Sequence, residues 1–159
     1  MVVKITVVKS GFIGVTTLIE ALLDERAARK DISIHSISSG SKMHTEASED
    51  LEKNALLYDT DFFILVTPNA SLDAPKELAF NLSKHKPTLV VSDNPASKSI
   101  NDFSNENLGY IVVQGDEPIV NPKDIKKIIN ISKKDNFKVY NGYATEKNIK
   151  SISNKNIPF

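Results

Sequence analysis

Between Val2 and Val113, short runs of β-branched residues alternate with stretches of helical period. A parallel strand buried on both faces reads as a continuous apolar run, and the crossover to its parallel neighbour is usually a helix. Val2-Val3-Lys4-Ile5-Thr6-Val7-Val8 is the first such run, closed by Gly11 and Gly14. From Val15 to Arg29, Leu18, Ile19, Leu22 and Leu23 share one helical face, and Glu25 and Arg29 form an i,i+4 pair on the other. Ile32-Ser33-Ile34-His35-Ser36-Ile37 mixes apolar and polar residues, which predicts a half-buried strand nearer the sheet edge. Thr45 is the expected N-cap of the next helix, with Glu46 in its first turn and Ala47, Leu51, Ala55 and Tyr58 along one face. Asp61 to Val66 is apolar on both sides, as a central strand should be.

The second half continues the pattern. Asp73 as cap and Pro75 in the first turn open a helix running to about Lys84. Thr88 to Val91 is a fourth strand, a weaker helix lies around Lys98 to Asn105, and Tyr110 to Val113 is a fifth strand. Asn121-Pro122 caps a last helix carrying Ile125, Ile128 and Ile129. The expected architecture is a three-layer α/β domain of Rossmann/flavodoxin-like type. Its parallel sheet has five or six strands, five of them covering 2–8, 32–38, 61–66, 88–92 and 109–113, with right-handed crossovers and helices on both faces. The expected organisation is a cofactor-binding α/β domain over 1–135 and a C-terminal extension over 136–159, available for oligomer contacts.

Composition narrows the function classes. With 159 residues, 40% hydrophobic and 25% charged, the chain can bury a core of ordinary globular kind. No stretch approaches the roughly 20 apolar residues of a membrane span, and the N-terminus reads as a strand and turn rather than a signal peptide. The expected compartment is the cytoplasm, with no membrane partner. The absence of cysteine excludes disulfides, thiolate metal sites and cysteine nucleophiles, and His35, His44 and His85 are too scattered to suggest a metal cluster. The formal net charge is zero. Residues 1–80 carry eight basic against twelve acidic residues, and residues 81–159 carry twelve against eight. Only Arg26 and Arg29 are arginine, so no nucleic-acid partner is expected. The lysines from Lys123 to Lys138 read as the solvated face of a helix.

In open parallel sheets, ligands bind beyond the carboxyl ends of the strands. Those ends are Lys9-Ser10-Gly11-Phe12-Ile13-Gly14, Ser39-Gly40-Ser41-Lys42-Met43, Thr67-Pro68-Asn69-Ala70, Ser92-Asp93-Asn94-Pro95-Ala96 and Gln114-Gly115-Asp116. All are small or polar, which suits the approach of a ligand to backbone amides and hydroxyls. Gly11-x-x-Gly14 at a helix start admits an anion at free N–H groups, or serves only a tight strand-to-helix turn. The earlier glycine of the dinucleotide fingerprint is replaced by Lys9. Lys42 pairs with an anionic ligand or is solvated. Met43 lines an aromatic ligand or fills an apolar gap. Asp93 is a general base or a turn former. There is no acidic pair after the first strand, no Gly-Lys-Ser/Thr and no Ser–His–acid constellation, so no catalytic residue is singled out.

Taken in order, these loops and the segments Leu22-Leu23-Asp24-Glu25-Arg26-Ala27, Asp61-Phe62-Phe63-Ile64 and Leu108-Gly109-Tyr110-Ile111-Val112-Val113 resemble one family. It is that of the coenzyme F420-dependent methylenetetrahydromethanopterin dehydrogenases of archaeal one-carbon metabolism and methanogenesis, and the resemblance covers about residues 2–120. It implies an oxidoreductase that passes a hydride directly between the one-carbon bridge of a pterin substrate and the deazaflavin ring of coenzyme F420, and it implies a homo-oligomer. In such chemistry the cofactor reacts, and the protein binds and aligns. The cofactor is expected across the first three strand ends. Expected contacts are Ser10, Gly11, Phe12, Ile13, Gly14, Ser39, Gly40, Ser41, Lys42, Met43, Pro68, Asn69 and Asp93.

The family usually has Cys and Asn where Ser10 and Phe12 stand, and Ile119-Val120-Asn121-Pro122 retains little of its arginine pair and Phe-Leu-Asp-Pro segment. Family members are also longer, so the resemblance implies a helical C-terminal half beyond the segments matched here. Two expectations follow. One is a compact dehydrogenase that completes its cleft by oligomerising. The other is a non-catalytic relative that keeps the α/β half as a ligand-binding or regulatory module.

Overall fold

The computed structural model describes residues 2–14, 16, 29–94, 102–103 and 108–113, together with Lys123, Lys126 and Asn130. The chain divides into two compact units, Met1–Ile119 and Val120–Phe159. In the first unit, five strands form one sheet: β1 (Val3–Lys9), β2 (Ile32–Ser38), β3 (Phe62–Thr67), β4 (Thr88–Ser92) and β5 (Leu108–Val112). All neighbours are parallel, in the order β2-β1-β3-β4-β5. Class, strand number and strand direction are those the alternating pattern predicts. So are the edge position of β2 and the central position of β3.

Successive strand residues point to opposite faces, and this builds two cores. On one face, Val8, Phe63, Leu65 and Val90 pack with Leu51 and Ala55 of helix α1 (Thr45–Ala55) and with Leu78, Ala79 and Leu82 of helix α2 (Asp73–His85). Phe103 joins them, stacked between Phe80 and Tyr110 at centroid distances of 5.8 and 5.0 Å. On the other face, Val7, Val66 and Val91 pack with Ile13, flanked by half-buried Ile5, Ile34, Ile64, Leu89 and Ile111. β1, β3 and β4 thus supply apolar residues to both sides, which is why those runs are continuous rather than alternating.

The helix ends differ from the sequence expectation by one residue. His44, not Thr45, is the N-cap of α1, and Leu72, not Asp73, is the N-cap of α2, neither with a side-chain cap bond. Thr45 and Asp73 are already helical. Glu46 and Asp73 still lie in first turns, where a carboxylate meets the positive end of the helix dipole. The helical face predicted through Tyr58 ends at Ala55, and the Tyr58 ring instead stacks on His35 at 4.4 Å. Arg29 pairs with Asp31, its Nε donating to Asp31 Oδ1 at 2.7 Å; Glu25 lies outside the described residues. The helix predicted over 15–29 is described only at its start, where Gly14 and Thr16 are helical. The predicted helix near 98–105 is described only at Asp102 and Phe103, which form a turn. The extension over 136–159 lies outside the described residues. Lys123, Lys126 and Asn130 are helical and exposed.

At the amino-terminal edge, the Thr60 hydroxyl lies 3.1 Å from the carbonyls of both Lys4 and Phe62, and the Lys4 N–H donates to Asp61 Oδ2 at 2.8 Å. Lys4 Nζ also pairs with exposed Asp59. Their hydrogen bond, and after it their mutual attraction, raises the lysine pKa and lowers that of the carboxyl.

Candidate functional site

The register aligns the carboxyl ends of the strands. Lys9 pairs with Ser38 on one side and Val66 on the other, Thr67 pairs with Ser92, and Ser92 with Val112. The loops that follow therefore leave one edge of the sheet. The chain runs to one side from β1 to β2 and to the other from β3 onward, so the β1–β3 boundary is the switch point of the sheet, where such folds bind ligands.

Gly11 stands at that point with φ +80°, a conformation that L side chains rarely adopt. It is buried. A Cβ on Gly11 would lie 2.6 Å from Met43 Sδ and 2.9 Å from Pro68 Cδ. The Cβ direction at Gly11 is thus occupied by the second and third loops, and a glycine here lets the first three loops touch. Met43 is a gap filler in the same contact, its sulfur 3.8 Å from Thr67 Oγ1. Gly14 is helical and exposed, so the open helix start lies one turn further on. Between the two glycines Phe12 is 66% exposed, while Ile13 is buried in the second core. Ser10 is fully buried, and its hydroxyl and that of Thr16 have no hydrogen-bond partner.

Ser39 joins the first two loops. Its oxygen accepts from Gly11 N–H at 3.2 Å, and its hydroxyl proton has the Lys42 carbonyl at 2.6 Å and the Lys9 carbonyl at 3.3 Å. That hydroxyl is committed within the protein. Gly40, with φ +66°, forms the turn, its N–H donating to Ser38 Oγ at 3.0 Å. Ser41 and Lys42 are exposed beyond it.

The third and fourth loops are tied in the same way. The Asn69 side-chain oxygen accepts from Ser71 N–H at 2.9 Å, which orients its amide group. Asp93 N–H donates to the Thr67 carbonyl at 3.2 Å, and Asn94 N–H to the Pro68 carbonyl at 2.9 Å. Asp93 is half-buried and occupies a bend, in keeping with a turn former. Residues 95–96 and 114–116, also strand-end positions, lie outside the described residues. The structure therefore brings Ser10 to Gly14, Ser39 to Met43, Pro68, Asn69 and Asp93 to one edge. Ser92, named with its strand-end segment, lies in the same region, and so do Thr16 and Tyr110, which were not expected there. Ser92 closes an apolar strand, and only its neighbours across the sheet reveal its role.

A separate cavity of about 160 Å³ lies between α1 and α2. Glu49, Glu52 and Glu77 line it, so it disfavours an anionic ligand. Among the described residues, no three His, Asp or Glu side chains are grouped to hold a metal ion, and no helix is long and apolar enough to cross a membrane.

Comparison with known proteins extends these observations. The model of the methylene-5,6,7,8-tetrahydromethanopterin dehydrogenase family matches residues 3–132. An F420-dependent methylenetetrahydromethanopterin dehydrogenase of Methanosphaera stadtmanae is 40% identical over 120 residues, covering 75% of this chain and 44% of the relative. The enzyme of the same description from Archaeoglobus fulgidus is 43% identical over 119 residues, covering 75% of this chain and 43% of the relative. The chain thus spans less than half the length of these relatives. Among solved structures, that of an F420-dependent methylene-tetrahydromethanopterin dehydrogenase in complex with methylene-tetrahydromethanopterin and coenzyme F420 is similar in fold. Its TM-score is 0.65 at 22% identity, covering 86% of this chain and 61% of that one. A family match running from β1 past β5, over a sheet of matching fold, leaves one assignment: the chain belongs to the methylene-5,6,7,8-tetrahydromethanopterin dehydrogenase family.

Proposed function

We propose that this chain binds coenzyme F420 at the carboxyl edge of its sheet and acts in F420-dependent oxidation and reduction of methylene-tetrahydromethanopterin. The family match over residues 3–132, which includes every strand-end loop described above, carries this reading. The residues present suit such a group. The exposed Phe12 ring offers an apolar face, the start of the helix at Gly14 offers the positive end of a helix dipole, and exposed Lys42 offers a cation for acidic groups. The partnerless Ser10 and Thr16 hydroxyls flank the same turn, where a polar ligand atom or water would satisfy them.

When bound, the deazaflavin supplies the atom that accepts or donates the hydride. The chain's own groups bind and align: Gly11, Met43 and Pro68 set the floor of the crevice, and Ser39 holds the backbone from which Lys42 projects. The protein acts in the cytoplasm as a homo-oligomer that completes the pterin cleft. Titrating F420 into the protein and following its fluorescence tests the cofactor, and turnover with methylene-tetrahydromethanopterin tests the reaction. Saturable binding lost in folded Gly14→Val supports the site. No saturable binding to wild type refutes it.

A further inference from the structure

We infer that Ser92 is a positioning residue that fixes the relative placement of Asn69 and Asp93. The inference rests on the reading that these loops hold F420. Ser92 ends β4 and is fully buried. Its oxygen accepts from Ala70 N–H at 3.2 Å, and its hydroxyl donates to the Asn94 carbonyl at 2.8 Å. Ala70 follows Asn69, and Asn94 follows Asp93. One buried hydroxyl therefore bridges the residues next to two expected ligand contacts, on loops that leave different strands.

The bridge is braced from both sides. The Tyr110 hydroxyl of β5 donates to the same Asn94 carbonyl at 3.1 Å, and Asn94 N–H returns to the Pro68 carbonyl. Alanine at 92 removes both bonds at once and leaves the N–H of fully buried Ala70 without its acceptor. That amide then recovers a partner only if the Asn69 loop moves toward water. A loop displaced by a fraction of an ångström loses alignment with a ligand while the sheet beneath stays folded.

Thr60 provides a matched control. Its buried hydroxyl also lies within bonding distance of two backbone groups of this sheet, but at the opposite edge. The experiment titrates F420 into wild type, Ser92→Ala, Ser92→Thr and Thr60→Ala, each below its own melting temperature. Ser92→Ala is expected to weaken binding about tenfold or more, the loss from one or two well-formed hydrogen bonds. Ser92→Thr, which keeps the hydroxyl, restores most of it, and Thr60→Ala binds as wild type does despite lower stability. If Ser92→Ala does not fold, Ser92→Cys replaces it, keeping volume while bonding weakly. Wild-type affinity in the Ser92 variant, or an equal loss in Thr60→Ala, overturns the inference while wild-type binding still stands. No saturable binding by wild type overturns the functional reading, and this inference with it.

Discussion

Replacing Gly11 with alanine tests whether the strand-end loops are pressed together or merely adjacent. Gly11 and Gly40 both have positive φ, +80° and +66°, so alanine at either carries a similar backbone strain of about 1–2 kcal/mol. Their surroundings differ. A Cβ at Gly40 meets nothing within 4 Å, whereas one at Gly11 meets Met43 Sδ at 2.6 Å, Met43 Cγ at 2.7 Å and Pro68 Cδ at 2.9 Å. Met43 can rotate away, but the Pro68 ring is tied to its backbone. Overpacking of this kind adds about 1–3 kcal/mol. Gly11→Ala is therefore expected to cost about 2–5 kcal/mol in all. At about 2–4 °C per kcal/mol, that lowers the melting temperature by about 4–20 °C, against about 2–8 °C for Gly40→Ala. Urea unfolding at a common m-value gives the difference directly, and in it the unfolded-state gain shared by both Gly→Ala changes cancels. In a Met43→Ala background the Gly11→Ala penalty shrinks but does not vanish, because Pro68 remains. Equal destabilisation by Gly11→Ala and Gly40→Ala would refute the argument that the three loops pack on the missing side chain.

Lys42→Ala should leave the melting temperature unchanged, because the residue is exposed. It should weaken F420 binding by about 1–2 kcal/mol, an effect that shrinks at high salt; a variant binding as wild type places the charge contact elsewhere. Phe103→Ala should cost about 3–5 kcal/mol in urea denaturation, since Phe103 is 3% exposed and stacked on both Phe80 and Tyr110. A loss below 1 kcal/mol would mean that those stacks contribute little. Asp59 has a carboxyl pKa lowered by its bond to Lys4, so its contribution is present above the unfolded carboxylate pKa of about 3.9 and is lost as pH falls through the lower folded value. The Lys4 pKa is raised, so its share persists below the unfolded lysine value of about 10.4 and is lost as pH rises through the folded one. Asp59→Asn should thus lower stability slightly at pH 7 and converge with wild type in acid; a difference that grows below pH 3 contradicts the pairing.

The strands were legible because burial on both faces writes itself into the chain. Phe63 and Leu65 serve one core while Ile64 and Val66 serve the other, so β3 had to be an uninterrupted apolar run. Ile32 to Ile37 lacks that run because β2 has a neighbour on one side only. The strand-end loops were legible for a related reason: a parallel sheet places every loop after a strand at the same edge. The helix caps were less so. Thr45 and Asp73 have good capping side chains, but the chain enters each helix one residue earlier, through His44 and Leu72, and both caps go without a side-chain bond.

The sequence by itself determined the α/β class, the five parallel strands, the edge that carries the loops and the family, because local periodicity and loop chemistry are properties of contiguous residues. Only the tertiary structure decided what the individual loop residues do. It showed that Gly11 makes room for Met43 and Pro68, that the Ser39 hydroxyl ties the first two loops together, and that Ser92 links two others. The contacts between loops in those roles join residues 22 to 57 positions apart in sequence, brought together by strand register, and no local pattern encodes such distances.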